Sequence, residues 1–464
     1  MGYNAEKIFS VNGDPMVSYG NFFWRAETSL KSQLEAVQQA SQLSAMVMAA
    51  WIFGLALARL VLEEVLCERG KAQGEKQVCP TCGAGLESKG LIPRQMITLL
   101  GVIHWERRVY RCPRGCSLKS GAPMDKALGL KSHQQTSLEV KQMACLLAVF
   151  LPFGIASQVL QQISGVMLSP MTIWVWVQTY GQYAMEGLQK ELKLLQKGVA
   201  PVVEALEESV ANLPFLAGAD GVMVPFRPEP GQRQGRTVWR EVKVAILTRL
   251  KRSTNRKGEP VSRLEHRRLI AVLGKIDELI PRLRLEALRQ SVLSAACVVW
   301  LSDGGRGLWR VLRTCFPEHA IGILDFYHAA QNLWKAGRSW LDGRTTQAHD
   351  WFQQMRHALR HGKENEVLEM LQTTLKLNQL PEGAAQTIQN VYDYLCEHAA
   401  HIHYEKFKAL GLPIGSGMVE SACKWLIQQR FKGVGMRWSE DGFNHLLHLR
   451  LAWVNQRFDA LFVE

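Results

Sequence analysis

Residues 298–305, VVWLSDGG, carry an apolar run to a lone carboxylate and then break into glycine. The reading of Asp303 decides what kind of molecule this is. The run reads as a short buried strand that delivers Asp303 at its carboxyl end, where open α/β sheets form the crevice in which ligands bind. Taken alone it also reads as an Asp-Gly turn, so the choice rests on the sequence around it.

Working outward, residues 215–225, FLAGADGVMVP, form a second apolar run with one embedded acid, Asp220. Strand-like runs follow in VWREVKVAILT and RRLIAVLG, then a helix from about 277 to 293, then the run that ends in Asp303. Three strands as a meander, a helix, and a strand returning beside the first is a ribonuclease H-like order, which sets Asp220 and Asp303 side by side. Two isolated carboxylates at adjacent strand ends repel one another unless a cation lies between them, and divalent magnesium is the expected occupant.

Asp325 follows a further apolar run, IGIL, and competes with Asp303 for the same role. GGRGLWRVLRTCFP fits a glycine turn and a helix of about ten residues, the crossover that parallel neighbours require. The strand of Asp325 is therefore expected one position further from Asp220. Asp325 and His328, one helical turn apart, then sit beside the site and orient the scissile strand or a supporting group. The glycines after Asp303 are expected to let backbone and DNA approach the metals closely.

A third acid lies in LPIGSGMVESACKWLIQQRFKGVGMRW. Gly415 to Gly417 read as a flexible entry, Ser416 as a helix cap, and Glu420 as a first-turn residue, with Lys424, Ile427 or Gln428, and Phe431 keeping to one face. Glu420 can also do no more than complement the helix dipole.

Cysteine spacing is the strongest local signal. CPTCG holds Cys79 and Cys82, and CPRGC holds Cys112 and Cys116, with 29 residues between the pairs. Four thiolates at such spacing make a closed tetrahedral zinc site that holds structure or contacts DNA and does not catalyse. QMITLLGV and HWERRVYRC between the pairs read as a ribbon with the knuckles at one end. The other six cysteines lie in apolar patterns and read as small buried hydrophobes.

With 464 residues, 47% of them hydrophobic, the chain can bury several domain cores and is not disordered. Its net charge of +13 suggests a polyanionic partner. Between Arg227 and Arg268 thirteen Lys and Arg face four Glu. A basic hairpin clamping phosphates, with Arg249, Lys251, Arg252, Arg256 and Lys257 as DNA contacts, fits this better than a solvated loop. The apolar run from Ala45 to Ala58 is 14 residues long, short of the roughly 20 that cross a membrane, so it reads as a buried helix. The run from Met143 to Ala156, interrupted by Pro152, reads the same way. No secretory signal is expected from the polar N-terminus. Residues 135–182 show three helical pieces, and the turn SGVML before Ser169-Pro170 outlines a helix-turn-helix, with a plain bundle of equal standing.

The segments GADGVMVPFR with WREVKVA, SDGGRGLWRVLRTCFPEHAIGILDFYHAAQNLW, and LPIGSGMVESACKWLIQQRFKGVGMRWS are together similar to the ISKra-type insertion-sequence transposases, relatives of the Mutator-like DDE group. The cysteine ribbon and the helices after it also resemble that family's amino-terminal half. The resemblance implies Asp220, Asp303 and Glu420 as catalytic acids holding two Mg2+ or Mn2+, and a helical insertion between His328 and Gly411. It also implies cleavage and strand transfer on terminal inverted repeats. The family's Cys-x-x-His after the second acid is replaced here by Asp325-Phe326-Tyr327-His328.

The expected fold is thus an α/β ribonuclease H-like catalytic domain with a helical insertion, preceded by a zinc ribbon and helix-turn-helix-like segments. The expected divisions are a helical region over 1–75, the ribbon over 76–120 and a helical DNA-binding region over 121–205. The catalytic domain then spans 206–330 and 411–464, around an insertion at 331–410. Water would free a 3′-hydroxyl that attacks target DNA, with no covalent protein intermediate. Expected partners are double-stranded DNA and further copies of the chain, as a homodimer or larger assembly, without a membrane and in the bacterial cytoplasm at the nucleoid. A ribonuclease H-like nuclease and a catalytically silent, transposase-derived DNA-binding protein are the alternatives. A nucleotide-binding enzyme is disfavoured, because no glycine turn is joined to a phosphate-loop lysine.

Overall fold

The structure is a computed structural model that describes residues 19–71, 78–116, 121–228, 237–254, 256, 258, 260–295, 297–305, 307–377 and 379–463. It divides into two compact units, 1–176 with 462–464, and 177–461.

In the first unit, α1 (Tyr19–Gln39) and α2 (Leu43–Lys71) form an antiparallel hairpin. The antiparallel ribbon of β1 (Glu87–Thr98) and β2 (Gly101–Arg111) follows, closed by a tight turn at Gly101, whose φ of 101° suits only glycine. Leu66 of α2 packs into the ribbon against Met96, Ile103 and Trp105. Next come α3 (Leu138–Phe150) and α4 (Phe153–Ser164) on either side of Pro152, and α5 (Pro170–Gln196), within which the two units divide. Ser169 Oγ accepts from the Thr172 backbone N–H at 3.0 Å, the cap that Ser169-Pro170 predicts.

Two expectations change here. The apolar helix is not buried: only 6% of the most apolar 18-residue stretch of α2 lies inside the fold. α1 covers one side of it, around Leu30 and Ala56, and leaves the rest open. The second change concerns groove reading. Residues 170–185 of α5 hold no Lys or Arg, and Met171, Trp174 and Val175 stand exposed instead. Cationic phosphate contacts are therefore not offered by this part of α5, which leaves polar side chains and the helix amino terminus as the groups that could contact phosphate.

The second unit is built on a five-stranded sheet in the order β5-β4-β3-β6-β7. β3 (Phe215–Phe226), β4 (Val238–Thr254) and β5 (Pro260–Leu273) form the antiparallel meander, and β6 (Val298–Ser302) and β7 (Ile321–Leu324) lie parallel to β3. This is the strand order the sequence predicts. β3 and β6 are buried on both faces, which explains their continuous apolar runs. On one face α6 (Ile276–Arg289) and α7 (Leu308–Cys315) pack, and the Phe316 ring that follows α7 lies against Phe215 and Trp300. The long stretch after β7 is helical: α8 (Phe326–Trp340), α9 (Thr346–Arg360), α10 (Glu364–Leu375) and α11 (Ala384–Glu397). Its Met355, Leu371, Ile388 and Leu395 join the same apolar core as the sheet. On the other face of the sheet lie α12 (Gly417–Ala422), which continues through a π-helical turn at Cys423–Gln428 to Phe431, and α13 (Glu440–Val454).

Candidate active site and metal centre

Register places three aspartates on one level of the sheet. Ala219 pairs with Ser302 across β3 and β6, and Ser302 pairs with Leu324 across β6 and β7. The next residue on each strand is Asp220, Asp303 and Asp325. Asp303 thus stands between the other two, and the strand of Asp325 is the outer one; Asp303 and Asp325 follow the ends of β6 and β7, whereas Asp220 lies in the middle of the longer β3 and not at a strand end as expected.

Their environments differ. Asp220 is partly buried, and burial raises its pKa, with the charge of Asp303 adding to the rise. The backbone N–H of Gly221 donates to its Oδ1 at 2.6 Å and opposes the shift. Asp303 is also partly exposed, with Oδ1 accepting from Gly305 N at 3.1 Å. Asp325 is only 1% exposed and fully engaged. Its Oδ1 accepts from the His328 backbone N–H at 2.7 Å and lies 3.0 Å from His328 Nδ1, capping α8, while its Oδ2 accepts from Ser416 N. These bonds outweigh burial and hold the Asp325 carboxyl below the usual carboxylate range. His328 is pushed the other way, first by its hydrogen bond to Asp325 and then by the charges of Asp325, Asp303 and Asp220.

Glu420 comes to this end on α12. Gly218, two residues before Asp220, lets the helix settle onto the sheet: a Cβ there would lie 2.4 Å from Leu301 O and 2.8 Å from Val419 Cγ2. Glu420 is exposed; burial first, then the charges of Asp220 and Glu420, push the Cys423 thiol up to about 12. Lys424 is exposed in the π-turn, a form of helix often found at functional sites. The Ser416 side chain makes no cap. Its backbone N–H is instead tied to Asp325, and neither Gly415 nor Gly417 has positive φ, so the expected flexible entry is a pinned one. Gly415 makes room for the Tyr327 ring, 2.7 Å from where its Cβ would be.

Gly304, the first glycine after Asp303, has a different purpose from the expected one. A Cβ on Gly304 would lie 2.1 Å from the Tyr394 ring, so the missing side chain admits a tyrosine from α11, not DNA. Tyr394 is raised in pKa by burial first, then by Asp303 and Asp325. Sequence reasoning misses it, because nothing in a helix 90 residues away marks a contact with Gly304.

Among the described residues, the set of three or more metal-ligating groups whose ligand atoms all lie within 4.8 Å of one another is Cys79, Cys82, Cys112 and Cys116. Asp220, Asp303 and Glu420 do not close to that separation. Each cysteine pair sits on a turn. Gly83 N donates to Cys79 O at 2.8 Å and Gly115 N to Cys112 O at 3.2 Å, both glycines having positive φ. Backbone N–H groups of Thr81 and Cys82 lower the Cys79 thiol to about 6, and neighbouring sulfurs raise Cys116 to about 12. The four sulfurs can hold one metal ion, with β1 and β2 keeping both knuckles at the same end of the ribbon.

The basic segment is a hairpin of β4 and β5, as expected, but its charges are not all free. Arg249 is 1% exposed and donates to the carbonyls of Ala211, Leu213 and Gln290, so it cannot reach DNA. A register shift beside Arg249 interrupts the β4–β5 ladder there. Lys251 is exposed and paired with Glu265 at 3.1 Å, Arg252 is exposed and bonded to Leu410 O, and Arg256 is exposed. Lys257 lies outside the described residues.

No family profile matches the chain. Among curated proteins, it is similar to the UPF0236 protein in vanSb 3'region of Streptococcus gallolyticus, 23% identical over 386 residues that cover 82% of this chain and 76% of that protein. Among solved structures, it is similar to the Drosophila P element transposase strand transfer complex. That likeness has 10% sequence identity and a TM-score of 0.26, over 73% of this chain and 82% of the other. Neither similarity assigns a role to a residue.

Proposed function

We propose that this chain is a DDE-type DNA transposase of an insertion sequence, built on a ribonuclease H-like domain, with Asp220, Asp303 and Glu420 as its catalytic acids. The observation that carries this reading is the pairing of β3 with β6, which brings Asp303, just past the end of β6, level with Asp220 in the middle of β3, with the helix of Glu420 seated on Gly218 beside them. The donor chemistry suits divalent cations: Asp220 is disfavoured as an anion by burial first, with the charge of Asp303 adding to it, and a bound cation relieves both. When bound at Asp220, Asp303 and Glu420, a pair of Mg2+ ions supplies activation of the attacking oxygen and stabilisation of the leaving oxygen.

The protein's own residues do the positioning. Asp325 fixes the start of α8 through His328 N and the entry to α12 through Ser416 N, so it sets where Glu420 stands relative to the sheet. His328 stands against Asp325 with its pKa raised by that hydrogen bond, and is suited to a phosphate oxygen of the scissile strand. Lys251, Arg252 and Arg256 offer phosphate contacts at the hairpin, and Lys424 offers one beside Glu420. The cysteine cluster holds a structural zinc ion. DNA carrying the element's inverted repeats, a further copy of the chain, and the bacterial cytoplasm at the nucleoid complete the proposal. The ISKra-type assignment rests on the sequence resemblance.

A strand-transfer assay with the element's own ends tests this. Joined products are expected only with Mg2+ or Mn2+ and only from ends with a free 3′-hydroxyl. End binding without joining or cleavage would leave a DNA-binding protein, and cleavage without joining would leave a nuclease.

A further inference from the structure

We propose that the exposed apolar face of α2 is a self-association surface whose occupant is the same face of a second copy of this chain. The inference stands on the first unit alone and does not draw on the carboxylate site.

A helix that is apolar all round belongs in a core or a membrane. In α2 the amino-terminal half is neither covered nor polar: Leu43, Val47, Met48, Trp51 and Ile52 are between 51% and 77% exposed. The patch continues beyond the helix. The Trp51 indole donates to the carbonyl of Ile163, which is itself 52% exposed. Together these side chains form one continuous uncovered apolar face, the kind of surface that marks an interaction site when it is this extended.

α2 as a whole is long and apolar enough to cross a membrane, but only its amino-terminal half is free to do so, and that argues for a second copy over a lipid bilayer. The carboxyl-terminal half of α2 is committed to the ribbon. Glu63 accepts from His104 N at 2.8 Å, and Gly70 lies so close to β2 that a Cβ would fall 1.9 Å from Glu106 O. Arg59 is the first charge in the helix. Leu43 to Ala58 is 16 residues, which at about 1.5 Å each spans roughly 24 Å, short of the roughly 30 Å hydrocarbon layer. A face of this kind meets its like without charge repulsion or charge desolvation, because no charge lies on it from Leu43 to Ala58.

The test is the mass of the full chain in solution by sedimentation, without DNA, at micromolar concentration. Wild type is expected at twice the chain mass of 52.3 kDa. The double variant Val47→Glu with Ile52→Glu is expected at the chain mass, with its metal content and circular dichroism unchanged. Hydrogen exchange of the wild type provides a second reading that needs no variant: on dilution, protection is expected to fall in residues 43–58 as the dimer dissociates. A monomeric wild type, a variant that stays dimeric, or dissociation that leaves exchange at 43–58 unchanged would overturn the proposal. So would flotation of the wild type with phosphatidylglycerol vesicles. None of these outcomes bears on strand transfer chemistry, so failure here and failure of the catalytic reading are separable.

Discussion

The cysteine cluster and the carboxylate row differ in how far the chain travels to build them. Each pair of sulfurs comes from one short turn, and a single hairpin ladder brings the two turns together. The carboxylates come from two strands and a helix spread over 200 residues, and their positions depend on Gly218, Ser416 and Asp325 as much as on themselves. A site built locally closes on its own ligand atoms. A site built over long range is held by residues that never touch the reaction, and those are where it can be broken without touching a catalytic group.

The largest effect is expected at the local site. Cys112→Ser should abolish stoichiometric zinc and unfold the ribbon, since apparent binding energies of structural zinc run to roughly 10–16 kcal/mol and are folding energy. Metal analysis and exchange protection of residues 87–111 check this. A variant that keeps both would remove the cysteine half of the comparison.

In the same unit as the long-range site, on the β4–β5 hairpin, Arg249 separates structure from binding. Arg249→Met leaves three backbone carbonyls without their donor and should cost about 3 kcal/mol in denaturant unfolding. The slope of DNA affinity against salt should not change. Replacing Lys251, Arg252 and Arg256 with Gln should do the reverse, flattening that slope by about 2–3 while stability stays within about 1 kcal/mol. If Arg249→Met flattened the slope instead, the arginine would be a DNA contact after all.

Gly304→Ala should cost about 1–3 kcal/mol through overpacking against Tyr394, and Tyr394→Ala in the same chain should return most of it. A Gly304→Ala protein of wild-type stability that had lost only DNA affinity would restore the view that the glycine makes room for DNA.

These cases show what the sequence makes legible. The strand order, the neighbouring positions of Asp220 and Asp303, and the cysteine knuckles follow from apolar periodicity and fixed spacing, which are local. Arg249 does not, because a buried arginine and an exposed one look alike in RLKR, and only the register shift and the carbonyls of Ala211, Leu213 and Gln290 tell them apart. The apolar run in α2 is equally ambiguous: its pattern demands a cover and cannot say what the cover is. Asp325 lies between these cases. Its level on the sheet is readable, whereas its burial and its bond to Ser416 N, 91 residues away, are not.

The most direct measurement compares Mn2+-dependent cleavage of element-end DNA by Asp303→Asn and Asp325→Asn proteins of matched zinc content. The account predicts that Asp303→Asn keeps folding and end binding but loses cleavage by about a thousandfold or more, since it removes a metal-holding carboxylate. Asp325→Asn should lose about 2 kcal/mol of stability, because an amide cannot accept from both His328 N and Ser416 N, and should retain reduced activity. An active Asp303→Asn protein beside a dead, stable Asp325→Asn protein would contradict the assignment and move the site to the outer strand.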